Sequence, residues 1–243
     1  MERTSVKQPE AIRNQARADL MIPTEGGTFD VFLWEHSIRV ARYAAYIARL
    51  PEVRAASPDE DALLAAALYH DAGWLVGLRN EEIRRDDILI GTPPDSHFER
   101  GAQLMEESLG DLLSEESLAR ASRAIRMVKD QRSDSIEAHI VSDADNLDEF
   151  GIVSLWLTAR RGLGDGKGVE AAIGSWRRKS EYRFWEARLR DSFRFTPVRE
   201  LAARRLASLG QLMGELEVQH QALDVQSLSP NEPTVPPAAS PVL

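Results

Sequence analysis

His70 and Asp71 stand side by side at the end of an unbroken apolar run, Ala62-Leu63-Leu64-Ala65-Ala66-Ala67-Leu68-Tyr69. Such a run reads as a buried helix, and a core tolerates neither an imidazole nor a carboxylate alone. Buried carboxylates are paired or bound to metal, because an unpaired one forfeits its hydration without return. Neutral His and ionised Asp are also ordinary ligands for divalent metals. The doublet therefore calls for partners among the other four histidines, His36, His97, His139 and His220, and among the acids. His36 falls on one helical stripe with Leu33, Val40 and Ile47, which turns it inward. Asp145 shares a face with Val141, Asp148 and Ile152, again an inward face. Three helices thus each aim ligand-type side chains at a common interior, a usual place for a helical bundle to hold a metal.

The elements that must position these groups are helical nearly throughout. Residues 8–21 predict a first, peripheral helix. Gly26-Gly27-Thr28 breaks the chain, and a helix follows over 29–50, closed by Pro51. Ser57-Pro58 is a start signal, a cap followed by Pro at the first helical position, for a helix reaching about Asp71. Residues 75–94 are mixed. Helices are predicted over 95–109, 115–130 and 135–161, the last containing Asp143, Asp145 and Asp148. A glycine-rich break at 162–168 precedes helices over 169–193 and 197–223. The expected fold class is all-α, a single-domain bundle of about seven or eight helices. Its divisions are an N-terminal helix and linker (1–28), a main domain (29–223) and a disordered Pro-rich tail (224–243).

Composition narrows the chemistry. The 243 residues include no cysteine, which excludes disulfides, thiolate metal sites and Cys nucleophiles and fits a reducing compartment. The formal net charge of −9 argues against a nonspecific nucleic-acid binder or a protein of anionic membrane surfaces. A small phosphorylated substrate needs only a local cluster of Arg and Lys. No basic-then-apolar N-terminal stretch and no apolar run near ~18 residues is present, so the expectation is a cytoplasmic protein with no membrane partner.

Three segments in order resemble the HD-domain metal-dependent phosphohydrolase superfamily: Trp34-Glu35-His36-Ser37-Ile38-Arg39-Val40-Ala41, Leu68-Tyr69-His70-Asp71-Ala72-Gly73, and Asp143-Ala144-Asp145-Asn146-Leu147-Asp148-Glu149-Phe150-Gly151. The third is similar to the branch that acts on nucleotides, as is the run from Thr196-Pro197-Val198-Arg199 to Glu215-Leu216-Glu217. Chain spacing leaves Asp143 and Asp145 as alternatives. The resemblance implies Asp145, together with His36, His70 and Asp71, as ligands of one divalent ion (Mn, Fe, Co, Ni or Zn). It implies hydrolysis of a phosphate ester or anhydride without a covalent intermediate, with Asp71 and Asp145 as the catalytic carboxylates and a nucleotide as the substrate class.

Around these, His97, Arg39, Asp148 and Trp74 are the candidate substrate contacts. His97 resembles a histidine of two-metal relatives. Those relatives carry further histidines on the next helix, where this chain reads Ile125-Arg126-Met127-Val128-Lys129, so the second metal site is incomplete. Arg39, one turn after His36, is suited to bidentate phosphate binding. Asp148 is placed for a ligand, a sugar hydroxyl or Arg39. Trp74 follows the doublet where many relatives have a Lys or a carboxylate, and it is expected either to stack on a base or to pack. His139 lies off the Asp145 face and reads as structural, His220 as exposed, and Arg177-Arg178-Lys179 as a solvated face. The run from Arg160 to Lys167 lacks the order of a phosphate-binding loop. Apolar surface around Trp156, Trp176 and Trp185 is a candidate homodimer contact. Two other functions stay open: a non-catalytic nucleotide-binding or regulatory module of this fold, and an iron-dependent oxygenase, which needs more histidines.

Overall fold

The computed structural model describes residues 7–94 and 96–228. The described residues divide into two compact units, the first running to 149 and including 192–198, the second comprising 150–191 and the residues from 199 on. Among the described residues the structure is all-α apart from one antiparallel pair of two-residue strands, β1 (Ile22–Pro23) and β2 (Phe29–Asp30). Gly27, at φ +73°, makes the turn between them.

The first unit is built from α1 (Lys7–Leu20), α2 (Phe32–Ile47), α3 (Pro51–Arg54), α4 (Glu60–Tyr69), α5 (Gly73–Arg79), α6 (His97–Leu109), α7 (Glu115–Arg126) and α8 (Ile136–Asp148). The apolar run forms α4, buried almost all round at Ala62, Leu63, Ala65, Ala66, Ala67, Leu68 and Tyr69. Its alanines give the thin profile that lets α1, α2, α6, α7 and α8 all pack on it. Each buried Leu or Ile around it contributes roughly 1.5–3 kcal/mol relative to exposure. The helix starts at Asp59, whose carboxylate accepts from the Ala62 N–H, rather than at the expected Ser57-Pro58 signal. Ser57 sits instead at φ +50°, outside the extended range of a cap.

α1 is not peripheral. Ile12, Ala16 and Leu20 are fully buried, and Asp19 accepts a 2.5 Å hydrogen bond from the Tyr69 hydroxyl at the end of α4. The boundary expected at residue 28 therefore does not separate α1 from the core of this unit. The stretch read as mixed holds α5, followed by a 3-10 turn at Arg85–Asp87.

The helix expected over 135–161 is two. α8 ends at Asp148, and Gly151 at φ +96° turns the chain before α9 (Ser154–Gly164) begins. A left-handed residue of this kind is the common way to stop a helix. Ile152, expected on the inward face with Asp145, lies beyond this stop and is 51% exposed.

The second unit contains α9, α10 (Val169–Glu181), α11 (Phe184–Asp191) and the body of α12 (Thr196–His220). Arg183 at φ +52° interrupts the helix expected over 169–193. Ile173, Leu209 and Met213 form its core, with Leu155, Trp176 and Leu216 packed against them. Trp185 is buried edge-on to Phe150 and Phe184. Of the three tryptophans expected on an apolar surface, only Trp156 is exposed. Arg177 and Arg178 are solvated, Arg177 pairing with Glu217. His220 forms an exposed ion pair with Glu170 at 2.8 Å. Residues 224–228, placed in the expected tail, form a 3-10 turn, and the rest of that tail lies outside the described residues.

Candidate metal centre

α2, the end of α4 and α8 converge on one point in the first unit. His36 projects from the second turn of α2, His70 caps α4, Asp71 follows it, and Asp145 lies near the end of α8. The ligand-type atoms of these four all fall within 4.8 Å of one another. His36 Nε2 is 3.2 Å from His70 Nε2, 3.4 Å from Asp71 Oδ2 and 3.5 Å from Asp145 Oδ1. His70 Nε2 is 3.7 Å and 3.6 Å from the same two oxygens.

These separations test whether a metal fits. Ligand atoms held at roughly 2.0–2.2 Å from one ion in tetrahedral or neighbouring octahedral positions lie about 2.8–3.6 Å apart. The observed edges are close to that range. The far nitrogens of both rings are already committed. His70 Nδ1–H donates to the Ala67 carbonyl at 2.9 Å, and His36 Nδ1–H donates to Asp148 Oδ2 at 2.9 Å. Each anchor fixes the tautomer that leaves Nε2 as the inward-facing donor atom, the arrangement by which carboxylates and carbonyls orient metal-binding histidines. With both rings neutral, two imidazole lone pairs and two carboxylate oxygens face one another inside the protein, a donor set that could hold a metal ion.

The electrostatics carry the same demand. Burial pushes the His36 imidazole down, but hydrogen bonds to Asp148 and Asp71 and the charges of Asp71 and Asp145 outweigh it and push it up to about 10. Burial pushes Asp71 up, yet the neighbouring His70, His36 and His97 hold it well below the carboxylate range. Asp145 is likewise held low against burial, by the Lys129 ammonium and His70. The site keeps its carboxylates ionised and, with no ion bound, draws a proton onto His36; a divalent ion between the four groups would take the place of that proton. His36 and His70 are almost sealed, while the Asp71 side chain is 17% exposed, so the carboxylates mark the open side.

α8 shows why Asp143 and Asp145 could not be told apart by spacing. It is buried on nearly every face and carries four acids, each with its own partner. Glu137 accepts from Arg120, from the Asp59 N–H and from Ser135. Asp143 turns away from the cluster and accepts from the backbone N–H groups of Arg194 and Phe195, both at 3.0 Å. Asp148 receives His36 and both Nε and Nη2 of Arg39, at 2.8 and 2.9 Å. Only Asp145 presents an oxygen to the two imidazoles.

The expected substrate contacts separate on inspection. Arg39 is part of the Asp148 ion pair, so of the three options for Asp148 the first and the last are both observed, a candidate ligand in His36 and Arg39 itself, and Asp148 is buried. His97 is buried and donates through Nε2 to Asp71 Oδ1 at 3.0 Å, so it holds a carboxylate of the cluster in place. Trp74 packs: it is buried, edge-on to His97, and the base-stacking role does not fit. Two glycines permit this closeness. A Cβ on Gly73 would overlap the His97 carbonyl, and one on Gly101 would come within 3.1 Å of the Tyr69 carbonyl. His139 is structural, its Nε2–H donating to the Ser133 carbonyl at 2.7 Å.

One residue was passed over. Lys129, just beyond α7, places Nζ 2.6 Å from Asp145 Oδ2. It belongs to the segment noted for its missing histidines, and reading that segment for histidines alone misses the cation that stands there.

Comparisons with known proteins agree with the geometry. An HD domain family model matches residues 33–149, a span that includes every residue of the cluster. The Bacillus subtilis protein YpgQ, in a structure in complex with ADP, superposes with a TM-score of 0.54 at 23% identity, over 88% of this chain and 95% of that one. A Lactobacillus plantarum protein gives 0.53 at 18% identity, over 89% and 98%. A predicted HD superfamily hydrolase from an uncultured Thermotogales bacterium gives 0.50 at 20% identity, over 86% and 91%. At these identities the likeness is one of fold. Among curated proteins none matches significantly.

Proposed function

We propose that this chain, which the HD domain family model matches over residues 33–149, is an HD-superfamily metal-dependent phosphohydrolase cleaving a phosphate ester or anhydride of a small molecule, a nucleotide by preference. The observation that carries this reading is the inward meeting of His36 Nε2 and His70 Nε2, 3.2 Å apart, with Asp71 Oδ2 and Asp145 Oδ1, each 3.4–3.7 Å from both nitrogens. These four residues would hold one divalent ion. Bound there, the ion supplies Lewis acidity toward a phosphoryl oxygen and makes a water nucleophilic near neutral pH.

The protein's own groups have assignable work. His97 holds Asp71 through Oδ1, fixing the direction of its other oxygen. Asp148 orients the His36 ring, and Arg39 keeps Asp148 ionised and in place. Asp71, the most open of the carboxylates, is positioned to orient an attacking water. The nucleotide preference draws support from the fold shared with the ADP-bound Bacillus subtilis protein. No helix among the described residues is long and apolar enough to cross a membrane, and action in the cytoplasm on a freely diffusing substrate is part of the same reading.

The test is a phosphate- and pyrophosphate-release screen over nucleoside mono-, di- and triphosphates, with Mn²⁺, Fe²⁺, Co²⁺, Ni²⁺ and Zn²⁺ in turn. Turnover is expected with at least one pair, and Asp71→Ala should abolish it together with metal content. Tight nucleotide binding with no turnover under any metal would replace this reading with that of a binding module.

A further inference from the structure

Charge bookkeeping at the centre leaves one cation with no assigned task. Three carboxylates are gathered there, Asp71, Asp145 and Asp148, and the charge of Glu149, at the end of α8, also reaches Lys129. Arg39 spends two N–H donors on Asp148 and cancels it. A divalent ion would cancel Asp71 and Asp145. Lys129 is then left with Glu149, whose charge acts on it less than those of Asp145 and Asp71. It is also placed unlike the rest of the cluster. Its side chain is 49% exposed, against 10% for Asp145 and 17% for Asp71, so it stands at the open mouth. It is tethered at 2.6 Å to Asp145 Oδ2, while Asp145 Oδ1 faces the imidazoles. An ammonium has three donors, and the tether uses one.

We propose that Lys129 is the phosphate-recognising cation of this site, a positive charge at the mouth of the loaded centre that draws in a phosphorylated substrate. The inference rests on the hydrolase reading for its substrate class, but its physics is separable. The ammonium pulls on the carboxylate that the metal also uses, so it opposes the metal. It adds to the field that a phosphate meets, so it favours the anion. Two effects of opposite sign follow from one charge. The same placement limits the site to one metal, since a second cation sharing Asp145 Oδ2 would meet the ammonium.

The experiment compares wild type with Lys129→Met and Lys129→Arg by calorimetry, using Mn²⁺ alone and then inorganic pyrophosphate on the Mn²⁺-loaded protein. Folding is checked by circular dichroism. Lys129→Met should bind Mn²⁺ more tightly, by roughly 3- to 10-fold, and pyrophosphate more weakly, by about 10-fold or more, as expected for loss of one nearby charge in a partly solvated site. Lys129→Arg should keep pyrophosphate affinity within about 3-fold of wild type, because the charge is retained. Wild-type pyrophosphate affinity in Lys129→Met overturns the proposal. So does a loss of both affinities together, which marks a merely structural role. If the opposite-sign pattern appears while no nucleotide is hydrolysed, the hydrolase reading falls and the role of Lys129 stands.

Discussion

His36 Nε2 and His70 Nε2 stand 3.2 Å apart, each ring anchored through its other nitrogen. That relationship suits a cation shared by the two rings, whose place a proton on His36 takes when no ion is bound. The protein should therefore bind one divalent ion per chain and be stabilised by it. At a metal concentration a hundredfold above Kd the gain is about 2.7 kcal/mol, or roughly 5–10 °C in Tm for a chain of this size. Elemental analysis and a thermal melt with and without chelator check it. His36→Ala, His70→Ala and Asp145→Ala should each lose both the metal and the chelator-sensitive part of the melt.

Asp148 reaches the metal centre only through His36. Asp148→Ala removes the acceptor that holds both the His36 imidazole and Arg39. Metal affinity should fall by roughly 10- to 100-fold, the usual cost of removing such an orienting partner. Far-UV circular dichroism should not change. Unaltered metal affinity in this variant would show that the Asp148 carboxylate does not orient the ring.

How much of this was legible beforehand depends on what helical phase can encode. The stripe Leu33, His36, Val40 and Ile47 is buried as its spacing requires, and the doublet ends a buried helix as its apolar run requires. Phase fixes the inward face of a helix. It does not fix which of several inward acids meets a given neighbour, so Asp143, Asp145 and Asp148 needed tertiary structure to sort. Long side chains are harder still. Arg39 and Lys129 end several bonds from their Cα atoms, and their destinations are set by carboxylates on α8. The stop at Gly151 was readable only as a glycine, since an acidic helix flows into a plausible apolar one across it. Trp74 looked like an aromatic at a site entrance, but the approach of α6 through Gly73 and Gly101 encloses it.

That approach gives a steric prediction. Gly73→Ala places a methyl against the His97 carbonyl, and backbone cannot move aside as a flexible side chain can. The start of α6 must shift, which separates His97 from Asp71. Overpacking of this kind typically costs 1–3 kcal/mol, and about 2 kcal/mol or more is expected here. Chemical denaturation measures it, and metal affinity should fall in parallel. Gly27→Ala, with no atom within 4 Å, is the control: it pays only the strain of its positive φ.

Asp143 provides a pH signature in the fold rather than in the site. Burial pushes its carboxyl up to about 6, and the N–H groups of Arg194 and Phe195 only partly offset that. The unfolded carboxyl titrates at the ordinary value of 3.8. Between these values the native state binds more protons than the unfolded one, so stability falls as pH rises. The contribution is fully present below the unfolded value and is lost as pH rises through the folded one, a change on the order of 2–3 kcal/mol. Asp143→Asn cannot titrate. It also gives up one backbone hydrogen bond, a constant cost of about 1 kcal/mol at every pH. The difference in stability between variant and wild type should therefore move in the variant's favour by about 2 kcal/mol from pH 4 to pH 7. Denaturant titrations of both proteins in chelator, at several pH values, read this directly, because the metal-free cluster is common to the two and cancels. A difference that stays flat across the range would mean that Asp143 titrates normally and that its two backbone hydrogen bonds fully compensate its burial.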